Sequence, residues 1–114
     1  MIRLAFVLAV VACSKKQEPL PAPVEKMSAA ETQRSQDACK AYVEQICTCA
    51  TKLTGVAKQC ELARALPEAI RIDLEVAASP DSKPDVVSQA LAGVRKTAKE
   101  CIEQTAKLPT LGCP

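Results

Sequence analysis

The residues best suited to chemistry in this chain are its cysteines, and the closest pair among them is Cys47-Thr48-Cys49. Thiolates take soft metals such as copper(I) or zinc, and two neighbouring cysteines can exchange disulfides. On a helix, though, residues two apart sit about 200° apart around the axis, so these sulfurs diverge. The chain has no histidine to complete a tetrahedral site, and Met27 is the one methionine beyond Met1. The spacing is also C-x-C, not the C-x-x-C that sets a reactive thiol at a helix start. We therefore expect Cys39, Cys47, Cys49, Cys60, Cys101 and Cys113 to form structural disulfides and no metal site. Soft-metal (copper or zinc) binding or thiol redox chemistry at Cys47/Cys49 is the alternative.

Side chains for other chemistries are scarce. The lack of histidine removes the commonest general base and the Ser-His and Cys-His nucleophile pairs. Asp73 with Glu75, and Glu100 with Glu103, are carboxylate pairs of the kind that do acid and base work. Glycosidase pairs need a lined cleft, however, and the only aromatics are Phe6 and Tyr42. These acids read as solvated helix faces. Lys96, Lys99, Glu100, Glu103 and Lys107 fall at three-and-four spacing and make helical charge pairs, and no glycine-rich phosphate loop occurs. No catalytic residue, no enzymatic activity and no small-molecule substrate are expected.

The compartment that these cysteines meet is set by the amino terminus. Arg3 precedes an apolar run from Leu4 to Ala12, long enough for a signal-peptide core and too short to span a bilayer. The run ends in Val10-Val11-Ala12-Cys13, and here the chain resembles bacterial lipoproteins. That resemblance implies that residues 1–12 are a signal peptide cut before Cys13 and that the Cys13 sulfur carries lipid. Each buried methylene contributes about 0.8 kcal/mol, so two or more acyl chains hold a small protein on a membrane. In that family the residue after the cysteine biases sorting, and Ser14 implies delivery to an outer membrane. The expected location is the cell envelope, with the domain in the periplasm or at the cell surface. Apart from this covalent lipid no cofactor is expected.

Residues 13–27 carry Pro19, Pro21 and Pro23 among charged and polar residues, a composition that favours an extended spacer of ~3 Å per residue. The chain has 15 basic and 13 acidic residues; losing Arg3 with the signal leaves 14 against 13, and residues from Ser28 onward hold 11 of each. A neutral domain lacks the clustered Lys and Arg that nucleic acid requires.

Residues 28–114 read as one small all-α domain, a disulfide-stapled bundle of three to four helices. Ser28-Ala29-Ala30-Glu31 has capping-box spacing, with the serine oxygen taking an orphan amide and Glu31 reaching back. The helix it opens places Ser35, Ala38, Cys39, Tyr42, Val43, Ile46, Ala50 and Leu53 on one stripe, and Gly55 is expected to end it. A second helix follows from Val56 through Leu62, Ala63 and Leu66. Pro67 interrupts it at Leu66, and Ala69, Ile70, Leu74 and Ala77 continue beyond the break. Residues 79–84 are loop by composition. The last helix opens at Pro84 and lays Val87, Leu91, Val94, Ala98, Cys101, Ile102, Thr105 and Leu108 on one face, ending at Pro109.

Six cysteines besides Cys13 argue for three disulfides in an exported domain of this size. With Tyr42 as its one aromatic, the domain must build its core from Ala, Val, Leu and Ile, so the crosslinks matter to stability. Cys49 and Cys60 flank Thr54-Gly55 symmetrically and are the favoured pair. Cys39 to Cys101 with Cys47 to Cys113 then completes the set, ahead of Cys47 to Cys101 with Cys39 to Cys113. The spacing C-x7-C-x-C-x10-C also resembles that of small cysteine-rich lipoproteins of myxobacteria and relatives, a likeness that brings no activity with it. The expected role is that of a lipid-anchored cell-envelope protein, structural or protein-binding, which touches the membrane through its lipid and an envelope protein through its domain.

Overall fold

The computed structural model of the chain describes residues 25–114. Cys13, the expected signal peptide and most of the expected spacer lie outside the described residues. Four α-helices follow in order: α1 (Ala29–Ala50), α2 (Ala57–Ala63), α3 (Ala65–Ala78) and α4 (Pro84–Lys107). Single 3-10 turns sit at Thr54–Val56 and Leu108–Leu111, and no strand occurs among the described residues. The domain is a small all-α, disulfide-stapled bundle.

Ser28 starts α1 as expected on one side only. Its Oγ accepts the Glu31 amide at 3.1 Å, but the Glu31 carboxylate accepts from Arg95 Nε at 2.8 Å and does not reach back. The buried side chains of α1 are Ser35, Cys39, Tyr42, Ile46 and Cys49, a strict four-three alternation. Gly55 does not end the helix. Thr51 does, by donating its hydroxyl to the Thr48 carbonyl at 2.7 Å while the backbone tightens. Leu53 therefore falls beyond the helix and is partly exposed instead of completing the stripe.

Pro67 acts one turn earlier than expected. It lies inside the first turn of α3, and the break falls at Arg64, between α2 and α3. A proline removes the donor to the carbonyl four residues back and its ring crowds that carbonyl, which here belongs to Ala63. The helix is interrupted beside that acceptor, not at the ring. Beyond α3, Ser82 donates its hydroxyl to the Val76 carbonyl at 2.7 Å, closing the helix end before Pro84 opens α4.

α2 and α3 run back along α1, and α4 returns beside it, so α1 and α4 are parallel. Three links between them keep almost one offset in sequence: Glu31 to Arg95 at 64 residues, Cys39 to Cys101 at 62 and Cys49 to Cys113 at 64. Two helices can hold a fixed offset over that length only by climbing in the same direction. The centre is filled by Ile46, Ile70, Val94 and Leu108, closed by the sulfurs of Cys39 and Cys101. Ile102, expected on the buried face, is 61% exposed, because the face follows Val94, Ala98, Cys101 and Leu108 and leaves it on the rim.

Candidate functional site: three disulfides and a groove over Tyr42

The three bonds are Cys39–Cys101, Cys47–Cys60 and Cys49–Cys113, with Cα separations of 5.0, 4.7 and 5.5 Å, ordinary for disulfides. The expected Cys49–Cys60 pair does not form, nor does Cys47–Cys113. Which cysteine is level with Cys60 depends on where α1 stops. It stops at Ala50, so Cys47 lies three residues before the end of α1 and Cys60 three residues after the start of α2. Cys49 instead follows Ile46 on the four-three stripe, which carries it inward, where it is 3% exposed. The divergence of Cys47 and Cys49 around the helix thus holds, but each serves the neighbour assigned to the other.

Cys113 reaches Cys49 because the tail is not a loose extension. Leu108–Leu111 prolong α4 as a 3-10 turn, and Gly112 then takes the left-handed conformation at φ 84°. The Cys113 amide donates to the Leu108 carbonyl at 3.1 Å and the Gly112 amide to Pro109 at 3.2 Å. This is the Schellman pairing of a helix end, with Leu108 and Cys113 both buried as its apolar contact. It folds the chain back within two residues and delivers the last sulfur. A side chain at Gly112 would be strained by that φ, so this glycine, not Gly55, is the one with a conformational duty.

Cys47 and Cys49 are consumed in bonds to different elements, so the C-x-C segment presents no paired thiols. Among the described residues no group of three or more His, Cys, Asp or Glu gathers in metal-holding geometry. In each acidic pair one carboxylate, Glu75 or Glu103, has its own cation. Arg71 holds Glu68 and Glu75, Asp73 lies against Gly93 where α3 meets α4, and Lys99 approaches Glu103 at 3.9 Å. Glu100 has no salt bridge among the described residues.

A second polar cluster ties the spacer to the bundle. Glu25 accepts from Arg95 and from the Ser88 hydroxyl, the latter at 3.0 Å, while Met27 packs on the core. Glu25 and Met27, in the last three residues of the expected spacer, are thus held by the domain. The Arg95 guanidinium, then the Ser88 hydroxyl, hold the Glu25 carboxyl below its ordinary range, and Arg95 does the same to Glu31. A lowered carboxyl pKa means that the contact is intact above the ordinary value of 4.5 and is lost as pH falls through the lowered one. In an NMR titration, Arg95→Gln is expected to raise the Glu25 and Glu31 titration midpoints toward the ordinary value; unchanged midpoints would contradict the pairing.

One surface feature has no counterpart among the motifs of the sequence. Separated from α3 at Arg64, α2 packs on α1 but has almost no contact with α4, which is instead covered by α3. The gap left between α2 and α4 is a groove of about 200 Å³ lined by Tyr42, Gln59, Leu62, Leu66, Glu100 and Gln104. Gln59 Oε1 is buried there without a hydrogen-bond partner. Burial, then the nearby Glu100 charge, push the Tyr42 phenol up. Pro67 was the available signal, since it divides the segment into two helices that pack on different neighbours.

Comparison with protein-family models, with curated proteins and with solved structures finds no match to this chain.

Proposed function

We propose that the chain is a lipid-anchored protein of a bacterial cell envelope whose folded domain has a structural or protein-binding role and no catalytic one. The observation that carries this reading is the cysteine account. The chain has seven cysteines, six are joined to each other in three bonds, and Cys13 is the odd one. Three disulfides in so small a domain belong to an oxidising compartment. An odd cysteine in an exported chain needs a destination. Lipid at the end of Leu4 to Ala12 supplies one, at the Val10-Val11-Ala12-Cys13 position where bacterial lipoproteins carry it.

The domain supports the second half of the reading through what its side chains already do. Its sulfurs are bound, its arginines at positions 71 and 95 are committed to carboxylates, and its interior is filled by aliphatic side chains. What remains presented is surface: Leu62 and Ile102 stand more than half exposed. The outer membrane remains the favoured location, from Ser14.

The test is made on protein produced by its native host. Wild-type chain is expected to begin at Cys13, to carry fatty acid by mass spectrometry and to enter the detergent phase on partition. Cys13→Ser is expected to lose the fatty acid and the cut before position 13 while its three disulfides stay intact. Wild-type protein that retained Met1 and no acyl group would remove the anchor from the account.

A further inference from the structure

We propose that the groove over Tyr42 receives a lysine or arginine side chain of a partner protein. This deepens the protein-binding reading above and rests on it. The groove offers two kinds of wall. Leu62 and Leu66 on one side, with the Tyr42 ring between, are apolar and suit the methylene stem of a long basic side chain. Glu100 and Gln104 face them from α4.

The polar groups there lack what a basic head supplies. Glu100 is the one charged residue lining the groove, and it makes no salt bridge among the described residues. Gln59 Oε1 is an acceptor buried with no donor. A buried acceptor left unpaired raises the energy of the free state, and turning that amide toward an incoming N–H removes the cost. An ammonium or guanidinium has several donors and no acceptor, which is the chemistry these two acceptors lack. The Glu100 field reaches the floor of the groove, since it contributes to the raised Tyr42 phenol. Leu62, 64% exposed at the mouth, is then the apolar lip that the partner covers.

The test uses the anchored chain in its own cells, with a photo-crosslinking residue placed singly by Leu62→p-benzoylphenylalanine, Leu53→p-benzoylphenylalanine or Ile102→p-benzoylphenylalanine. The groove reading expects a crosslink from position 62 to a partner peptide bearing a lysine or arginine beside the attachment point. That yield is expected to fall about tenfold or more with Glu100→Lys, as for loss of a charge-assisted hydrogen bond, and to hold with Glu103→Lys one turn away. Crosslinks only from positions 53 or 102, a position-62 crosslink indifferent to Glu100→Lys, or equal losses with both reversals would overturn the groove and leave the protein-binding reading standing. No protein partner from any of the three positions would overturn both.

Discussion

A chain carrying alanine at positions 39, 49, 101 and 113 is expected to be unfolded at room temperature, while one carrying alanine at positions 47 and 60 stays folded. The difference lies in the loops closed. Cys39–Cys101 spans 62 residues, and closing a loop of that length is worth about 4 kcal/mol by chain entropy. Once it is formed, Cys49–Cys113 closes only the ten residues from Cys39 to Cys49 and the twelve from Cys101 to Cys113, worth about 3 kcal/mol more. Cys47–Cys60 spans 13 residues and is worth about 3 kcal/mol by itself.

Losing both α1–α4 crosslinks therefore removes about 7 kcal/mol, within the range of a whole domain's stability of about 5–15 kcal/mol. The core that remains has a single aromatic and is built from aliphatic side chains, so little is left to offset the loss. Far-UV circular dichroism with urea titration reads this directly. A cooperative unfolding transition near the wild-type midpoint in the fourfold variant would show that packing, not sulfur, holds α1 to α4.

The second large effect concerns the one helix that no disulfide reaches. α3 carries no cysteine and has Ile70, 1% exposed, as its only fully buried side chain. It is held against α4 by packing alone. Ile70→Ala is expected to cost about 3 kcal/mol, the usual loss for emptying a buried aliphatic site. Because α1, α2 and α4 stay crosslinked, that cost is expected to fall on α3 as local opening. Hydrogen exchange should show α3 amides exchanging about a hundredfold faster, by conversion of that cost, with those around Cys39 and Cys101 little changed. Uniform acceleration across all four helices would mean that the domain opens only as a unit.

Much of this architecture was readable from local pattern. The α1 stripe from Ser35 to Ile46, the Ser28 cap, the loop before residue 84 and Pro84 at the head of α4 each depend on a few adjacent residues, and the structure has them. What failed depended on knowing where a helix stops. Placing the turn at Gly55 made Cys49 level with Cys60; the Thr51 hydroxyl ends the helix four residues sooner and makes Cys47 level instead. The parallel course of α1 and α4 also had a signature. Cys39 and Cys49 are ten residues apart and Cys101 and Cys113 twelve, the mark of two rungs between helices climbing together. The groove was not readable in this way, because it arises from the absence of contact between α2 and α4, and no periodicity encodes a gap.

Whether all six cysteines of the domain serve as its frame is decided by mapping the bonds in unreduced protein. Trypsin leaves Cys47 and Cys49 in one peptide, so digestion alone joins it to the peptides of Cys60 and Cys113 without saying which goes with which. Staged partial reduction with a different alkylating tag at each stage resolves the two. The prediction is no free thiol among the six, Cys39 sharing its tag with Cys101, Cys47 with Cys60 and Cys49 with Cys113. A shared tag on Cys49 and Cys60, or alkylation of Cys47 and Cys49 before any reductant is added, would contradict it.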